Sequence, residues 1–201
     1  ECEPYITADY MLIKTECKKL LRGITYIMKA TNANRAYIAI KKNKEELIQI
    51  LNEHLVDYAN INLVMLKDEY PAGWEKYVVE KALGVTYKTL PNEVGAVVNN
   101  VQTAIALGHA LLEGKPLTRR LITVTGNAIA NPCNIWCPIG TPAKTLIDAC
   151  GGYTCEDVNV VPGGPMCGKA ALKDEFPINP QIGSLCIFKY APVKAEPCLR
   201  C

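Results

Sequence analysis

The chain contains no apolar run long enough to cross a lipid bilayer. A spanning helix needs about 20 consecutive and mostly apolar residues. The longest candidate, residues 95–112, is interrupted by four polar side chains: Asn99, Asn100, Gln102 and His109. A direct membrane span is therefore not expected, and any association with a membrane would depend on partner proteins or on segments outside this sequence.

The sequence also lacks an excess of charge of either sign. It has 22 Lys and Arg residues against 20 Asp and Glu residues, which gives a net charge of +2. Nothing in this balance favours binding to nucleic acid or to an anionic membrane. A secretory signal is missing as well, because Glu1 to Pro4 precede no basic stretch followed by an apolar core. The first residue is not Met, as expected of a trimmed or excised chain.

Residue patterns that would support hydrolysis are missing too. Only two histidines occur, His54 and His109, and the sequence indicates a partner for neither of them. No Ser-His-Asp pattern and no pair of carboxylates stands out. We therefore expect both histidines to be structural.

Cysteine, by contrast, is abundant, with ten residues. In a short secreted chain this number indicates disulfides, but the length and apolar content of this chain favour free thiols in a reducing cytosol. Five cysteines lie in the second half: Cys133, Cys137, Cys150, Cys155 and Cys167. A structural zinc site is one interpretation, but Cys133 and Cys137 would lie about 13 Å apart along a predicted strand. Scattered thiols are the preferred interpretation.

Helix and strand patterns alternate over the first part of the chain. Apolar spacing predicts helices over 14–29, 44–55, 73–82 and 101–112, and strands over 37–40, 61–66 and 94–98. For the helix that begins at residue 44, Asn43 is the expected N-cap and Glu46 its capping-box partner. This alternation predicts an α/β layer with parallel strands, in which ligands bind at the carboxyl ends of the strands.

The second part of the chain is rich in strand formers and then becomes helical. Strands are predicted over 120–125 and 129–139, with a turn at Gly126. Thr141 suits the N-cap and Pro142 the first position of the helix that follows. A hairpin followed by a helix is the beginning of a β-grasp fold. One more strand is predicted, over residues 184–188.

Seven short segments carry a more specific signal. They are ECEPYITAD at 1–9, YPAGWEK at 70–76, GAVVNNVQTA at 95–104, VTG at 124–126, PIGTP at 138–142, GGPMCG at 163–168 and EPCLRC at 196–201. This ordered set resembles the RnfC family of Rnf electron transport complexes over essentially the whole chain. It resembles, more distantly, the flavin-bearing, NADH-oxidising subunit of respiratory complex I.

The resemblance implies a fold of two modules and a tail. Residues 1–113 would form an incomplete Rossmann-like α/β layer that binds FMN and NADH. Residues 114–170 would form a ubiquitin-like β-grasp domain of the soluble-ligand-binding (SLBB) type. Residues 171–201 would be a connector that leads to a truncated iron–sulfur motif.

The resemblance also implies which residues contact a dinucleotide. Glu1 and Glu3 would face flavin and nicotinamide, although a solvated acidic terminus would look the same. In the loop at residues 70–76, Gly73 would let the backbone approach the flavin. Glu75 would lie near the nucleotide.

The strongest candidates for FMN contact follow residue 97. They are Val98, Asn99, Asn100 and Thr103, at the predicted junction of a strand and a helix. Backbone N–H groups and the helix dipole favour a phosphate there, and Asn side chains offer both donors and acceptors. Asn is also a common N-cap, so a purely structural role is the alternative interpretation.

Two parts of the implied cofactor sites are incomplete in this sequence. The family's glycine-rich loop, which holds the flavin phosphate, precedes the ECEP segment and has no equivalent here. We therefore expect weak or absent flavin binding by this chain alone. Cys198 and Cys201 match the start of a motif for a 4Fe-4S cluster, which needs four ligands. In this chain the two are expected to form a free tail.

The implied function is electron transfer in an ion-translocating NADH:ferredoxin oxidoreductase. NADH would reduce FMN, and single electrons would pass to iron–sulfur clusters. The partners would be other subunits of the complex and ferredoxin-linked carriers, at the cytoplasmic face of the cell membrane. The chain by itself is expected to be inactive.

Three alternatives remain open. The chain could be a paralogue that serves a proline reductase or a cobalamin reductase system. It could also be a non-catalytic β-grasp module for ligand binding or docking. The third alternative is a metal-stabilised structural domain built on the additional cysteines.

Overall fold

The structure is a computed structural model that describes residues 3–192. The chain divides into two compact units, Glu1–Leu121 and Ile122–Cys201. The site predictions for Glu1, Cys198 and Cys201 fall outside the described residues. The domain bounds inferred from the resemblance stay a prediction.

The first unit alternates helices and strands, as the sequence predicted. Its elements are α1 (Ala8–Thr31), β1 (Ala36–Lys41), α2 (Glu45–Leu55), β2 (Ile61–Leu66), α3 (Glu75–Leu83), a 3-10 helix (Pro91–Val94) and α4 (Val101–Glu113). The strands β1 and β2 pair in parallel, with Ala36 opposite Ile61 and Lys41 opposite Leu66. The predicted parallel α/β layer is therefore confirmed.

The core of the first unit forms where α1, α2 and α4 meet the inner face of this sheet. The largest fully buried side chains in it are Leu12, Leu20, Leu21, Leu51 and Ile105. Fully burying a leucine or isoleucine side chain stabilises a fold by about 1.5–3 kcal/mol. These residues recur at helical spacing, which is why the amphipathic pattern predicted the helices.

Glycines allow α1 and α4 to approach closely. A Cβ atom on Gly23 would lie 1.8 Å from the Ala104 carbonyl oxygen, and one on Gly108 would lie 2.7 Å from the Lys19 carbonyl oxygen. Backbone atoms cannot yield as a flexible side chain can. The two helices are therefore in contact because both positions lack a side chain.

Three local predictions for the first unit were wrong. Residues 94–98 form no strand, because the 3-10 helix ends in Gly95 with a φ of 68°. The N-cap of α2 is Lys44 rather than Asn43. The Asn43 amide instead donates to Asp68 Oδ2 at 2.6 Å. The first helix begins at Ala8, six residues before the predicted start at 14.

The second unit is a four-stranded sheet with one helix. Its elements are β3 (Arg119–Thr125, which begins at the end of the first unit), β4 (Cys133–Pro138), α5 (Ala143–Ala149), β5 (Val158–Pro162) and β6 (Ser184–Lys189). The strand order is β4-β3-β6-β5. The central strands β3 and β6 are parallel, and β5 is antiparallel to β6. Parallel central strands joined through a helix are the arrangement that a β-grasp fold requires.

The core of the second unit lies between this sheet and α5. Its most buried side chains are Ile122, Val124, Ile147, Leu185 and Ile187. The N-cap of α5 is Pro142, one residue later than predicted. The Thr141 hydroxyl donates instead to the Pro138 carbonyl oxygen at 2.8 Å. The strand β5 was not predicted from the sequence.

Within residues 3–192, no helix has both the length and the apolar character needed to cross a membrane.

Candidate functional site

The carboxyl ends of β1 and β2 lie side by side and are joined by polar contacts. The Lys42 backbone N–H donates to the Leu66 carbonyl oxygen at 2.9 Å. Asp68, just beyond β2, pairs with Lys41 Nζ at 2.9 Å and accepts a hydrogen bond from Asn43. The Lys41 ammonium is the main reason that the pKa of the Asp68 carboxyl lies below its ordinary value.

The first turns of α1 reach this same edge of the sheet. The Tyr10 hydroxyl donates to Glu46 Oε2, and Lys14 pairs with Glu46 Oε1. An open cleft of about 470 Å³ lies between the two segments. The residues that line it are Thr7, Tyr10, Asn43, Lys44, Glu45 and Glu46.

Opposite charges alternate around this cleft. Hydrogen bonds from Lys14 and then from Tyr10 hold the pKa of the Glu46 carboxyl below its ordinary value. The ammonium of Lys44 lies 5.6 Å from the centre of the Tyr10 ring. The cleft therefore presents ionised groups of both signs beside an aromatic face, which suits a ligand with phosphate, hydroxyl and ring components.

The start of α4 is tied to the start of α1 through Asn100. Its side-chain oxygen accepts from the Gln102 backbone N–H at 2.8 Å, which makes Asn100 the N-cap of α4. Its amide nitrogen donates to Asp9 Oδ2 at 2.8 Å. The structural interpretation of Asn100 is thus correct, and it does not exclude a contact to a ligand.

The other candidates at this junction differ in exposure. Asn99 and Thr103 are exposed, whereas Val98 is half-buried. The exposed amide and hydroxyl therefore remain accessible beside the helix N-terminus. The roles of Val98, Asn99, Asn100 and Thr103 toward FMN stay a prediction.

Glu75 is held in place by a tyrosine that the sequence did not single out. It is the first residue of α3, and its Oε1 accepts from the Tyr87 hydroxyl at 2.8 Å. Burial and this carboxylate raise the pKa of Tyr87 to about 12, so its hydroxyl stays a donor at neutral pH. Gly73 lies in the exposed loop before α3, next to Trp74, whose side chain is 59% exposed.

These contacts bring several candidates toward one edge of the first unit. Glu3 is half-buried and precedes α1, whose first turns contact both the α2 start and the α4 start. Sequence reasoning missed Asp9, Tyr10 and Tyr87. Their partners lie 91, 36 and 12 residues away, at distances that no local spacing rule covers.

The residues at this edge fit a flavin or a dinucleotide by their donor set. Exposed amide and hydroxyl groups suit the hydroxyls of a ribityl or ribose chain, and a helix N-terminus suits a phosphate. A zinc site does not form among residues 3–192, where no cluster of three or more metal-ligating side chains is present. The five cysteines of the second half, Cys133, Cys137, Cys150, Cys155 and Cys167, are thiols and form no disulfide with one another.

Comparison with protein families matches both units. Residues 1–109 match the family described as the Nuo51 FMN-binding domain. Residues 121–170 match the SLBB domain. The first match covers more than half of the chain and includes the edge described above.

Two curated proteins are similar in sequence. The RnfC-type component of the proton-translocating ferredoxin:NAD(+) oxidoreductase complex of Clostridium ljungdahlii is 40% identical over 89% of this chain and 39% of its own length. Cobalamin reductase PduS of Citrobacter freundii is 37% identical over 93% of this chain and 41% of its own length. The chain thus spans about two fifths of the length of these relatives.

A solved structure has the same fold. The NAD+-reducing [NiFe]-hydrogenase in its air-oxidised state contains a chain that matches 93% of this chain with a TM-score of 0.77. The match covers 38% of that chain at 19% sequence identity. This similarity therefore concerns the fold alone.

Proposed function

Because the chain belongs to the Nuo51 FMN-binding domain family, we propose that it is the FMN- and NADH-handling part of an electron-transfer subunit. The subunit would act in an ion-translocating NADH:ferredoxin oxidoreductase of the Rnf type. The relative from Clostridium ljungdahlii, which is part of a ferredoxin:NAD(+) oxidoreductase complex, supports this choice.

The observation that carries the proposal is the convergence at the carboxyl edge of β1 and β2. There the first turns of α1 hold the α2 start through Glu46 and the α4 start through Asn100. In open parallel sheets, ligands bind at the carboxyl ends of the strands. A dinucleotide at this edge would meet a cleft, a helix N-terminus and exposed amide groups.

Each candidate then has a physical role toward the bound cofactors. Asn99, Asn100 and Thr103 would donate to and accept from the flavin and its ribityl chain, next to the backbone of Val98. Glu1 and Glu3 would accept hydrogen bonds from the ribose hydroxyls of NADH.

The loop before α3 would supply the remaining contacts. At Gly73 the backbone can approach the ring closely, because no side chain intervenes. Glu75, held by Tyr87, would fix the orientation of the nucleotide. When bound, FMN supplies the chemistry that accepts a hydride and releases single electrons, while the protein positions it.

The remaining expectations concern the longer protein. Cys198 and Cys201 would be two of the four thiolate ligands of a 4Fe-4S cluster that receives electrons. Other subunits of the complex and ferredoxin-linked carriers would be the partners. The protein would then be attached to the cytoplasmic face of the cell membrane through those subunits.

A second candidate function rests on the similarity to cobalamin reductase PduS, at an identity close to that of the Rnf relative. In this case the same flavin site would pass electrons to a cobalamin-dependent system. A docking role for the second unit without catalysis is the alternative from another class, and its SLBB match leaves room for it.

An FMN titration of the protein expressed from its complete gene tests the proposal. Binding should quench flavin fluorescence, and anaerobic NADH should then bleach the flavin absorbance. Ferredoxin and cob(II)alamin, offered separately as acceptors, distinguish the two electron-transfer functions. A folded protein that ignores both FMN and NADH would support the docking role instead.

Matched variants separate flavin contact from helix capping. Asn99→Ala and Thr103→Val alter exposed side chains, so each should weaken FMN binding without changing the unfolding midpoint. Asn92→Ala, at an exposed Asn of the 3-10 helix, is the control and should bind FMN like the parent. Equal affinities in all three variants would remove α4 from the flavin site.

A further inference from the structure

Two cysteines of the second unit lie next to each other in space. Cys133 is the first residue of β4, and Cys150 is the C-cap of α5. Their sulfur atoms are 3.5 Å apart. A disulfide bond is about 2.05 Å long, so small side-chain rotations suffice to join the two sulfurs.

The backbone around the pair is already in place for a cross-link. The Asn131 backbone N–H donates to the Cys150 carbonyl oxygen at 2.9 Å. Ile129 and Tyr153 form an antiparallel bridge next to this contact. At Gly151, a Cβ atom would come within 2.6 Å of the Asn131 side-chain nitrogen. The two segments are thus held together without the sulfur atoms.

The two thiols differ in their access to solvent. Cys133 is exposed, whereas Cys150 is 1% exposed and belongs to the apolar core of this unit. Burial, together with the neighbouring Cys133 thiol, raises the pKa of Cys150 to about 12. A dissolved oxidant therefore meets Cys133, and Cys150 stays a protonated thiol until a reactive sulfur forms beside it.

We propose that Cys133 and Cys150 form a redox-active dithiol, which hydroperoxides oxidise to an intramolecular disulfide. In the first step the Cys133 sulfur attacks hydrogen peroxide, the O–O bond breaks, and Cys133 becomes a sulfenic acid as one water leaves. In the second step the Cys150 sulfur attacks the Cys133 sulfur, and the sulfenic oxygen leaves as a second water that carries the Cys150 proton. The two thiols lose two electrons in total, and peroxide gains them.

The disulfide would fasten the start of β4 to the end of α5. It would close residues 133–150 into a loop that contains α5 (Ala143–Ala149). Closing a loop of this size reduces the conformational freedom of the unfolded chain and so stabilises the folded unit. The proposal does not depend on flavin or NADH binding, since every residue in it belongs to the second unit.

Peptide mapping of the peroxide-treated chain tests the pairing. After oxidation and alkylation of the remaining thiols, trypsin cleaves after Lys144 and chymotrypsin cleaves after Trp136 and Tyr153. These cuts separate Cys133 from Cys137, and Cys150 from Cys155. A reductant-sensitive peptide pair that contains only Cys133 and Cys150 is the expected product.

Variants connect the cross-link to stability. The oxidised parent should unfold at a temperature higher than the reduced parent by roughly 5 °C or more. Cys133→Ala, at an exposed position, should show no difference between its oxidised and reduced forms. Cys167→Ala removes another exposed cysteine of this unit and should behave like the parent.

Other outcomes overturn the proposal. A cross-link from Cys133 to Cys137 or Cys155 would show that the 3.5 Å pair is not the reactive one. Conversion of Cys133 to a sulfinic or sulfonic acid, with Cys150 still alkylated as a thiol after denaturation, would show that Cys150 does not resolve the sulfenic acid. A full oxidation-dependent rise in the melting temperature of Cys133→Ala would assign the stabilisation to other cysteines.

Discussion

Asn100 donates a hydrogen bond to Asp9 across 91 residues of sequence, with a distance of 2.8 Å between the amide nitrogen and the carboxylate oxygen. The same Asn100 side chain caps α4 through Gln102. One residue therefore fixes the start of α4 and joins it to the start of α1. The candidate site is built around this junction.

Replacing Asn100 should separate its two structural tasks. Asn100→Ala loses the cap and the Asp9 contact, and should lower the free energy of unfolding by about 1–2 kcal/mol in urea titrations. Asn100→Ser keeps a capping oxygen and should lose less. Asn99→Ala, one residue earlier and exposed, should stay within about 0.5 kcal/mol of the parent. If the Ala and Ser variants at residue 100 are equally unstable, capping is not the main contribution.

The crossing of α1 and α4 should reject a methyl group. Alanine favours helix over glycine by about 1 kcal/mol, but a Cβ at residue 23 would collide with the Ala104 carbonyl oxygen. Gly23→Ala should therefore destabilise the chain by about 1–3 kcal/mol, as measured by urea denaturation. Lys18→Ala, on the exposed face of the same helix, is the control. A stabilised Gly23→Ala would mean that the two helices are farther apart than described.

Two hydroxyl groups that face each other in register should respond in opposite directions. Ser184 is fully buried, and its hydroxyl has no hydrogen-bond partner among the described residues, so Ser184→Ala should be neutral or stabilise by up to about 1 kcal/mol. Thr123, opposite it in β3, donates to Asn134 Oδ1 at 2.7 Å. Thr123→Val should cost about 1–3 kcal/mol. Thermal unfolding of both variants checks the pair, and a loss of stability in Ser184→Ala would contradict the assignment.

Glu113 should make the first unit sensitive to acid. Lys115, then His109 and Lys19, lower the pKa of its carboxyl to about 2 from an ordinary value of 4.5. Because the folded pKa lies below the unfolded one, the stabilisation is complete above about 4.5 and is lost as the pH falls toward about 2. Glu113→Gln lacks this contribution, so its urea midpoint should approach that of the parent through this window. A constant difference between the two midpoints at all these pH values would refute the assignment.

Strong local patterns predicted much of the fold. The apolar runs at residues 37–40 and 61–66 and the helical spacing at 44–55 all correspond to elements of the structure. The strand predicted at 94–98 failed because its apolar residues follow a glycine in the left-handed region, which ends a 3-10 helix. An apolar run alone does not define a strand when the backbone before it turns.

The candidate site was predictable only in outline. The segment at Asn99 and Asn100 could be found because an Asn pair before an apolar helix is a local signal. Asn43 shows the limit of such signals, since its side chain bonds to Asp68 across 25 residues and leaves α2 without the predicted cap. Contacts of this kind depend on how the strands pair, and no spacing rule along the chain contains that information.

The position of β6 has a consequence for protein synthesis. This strand lies between β3 and β5 in the sheet, yet it is the last of the four to be translated, after residues 163–183. While Ser184–Lys189 remain inside the ribosome, β3 and β5 have no shared neighbour to pair with, and the apolar face of α5 stays uncovered. The second unit therefore acquires its fold late and in one step, and until then the nascent chain carries an open sheet that chaperones can recognise.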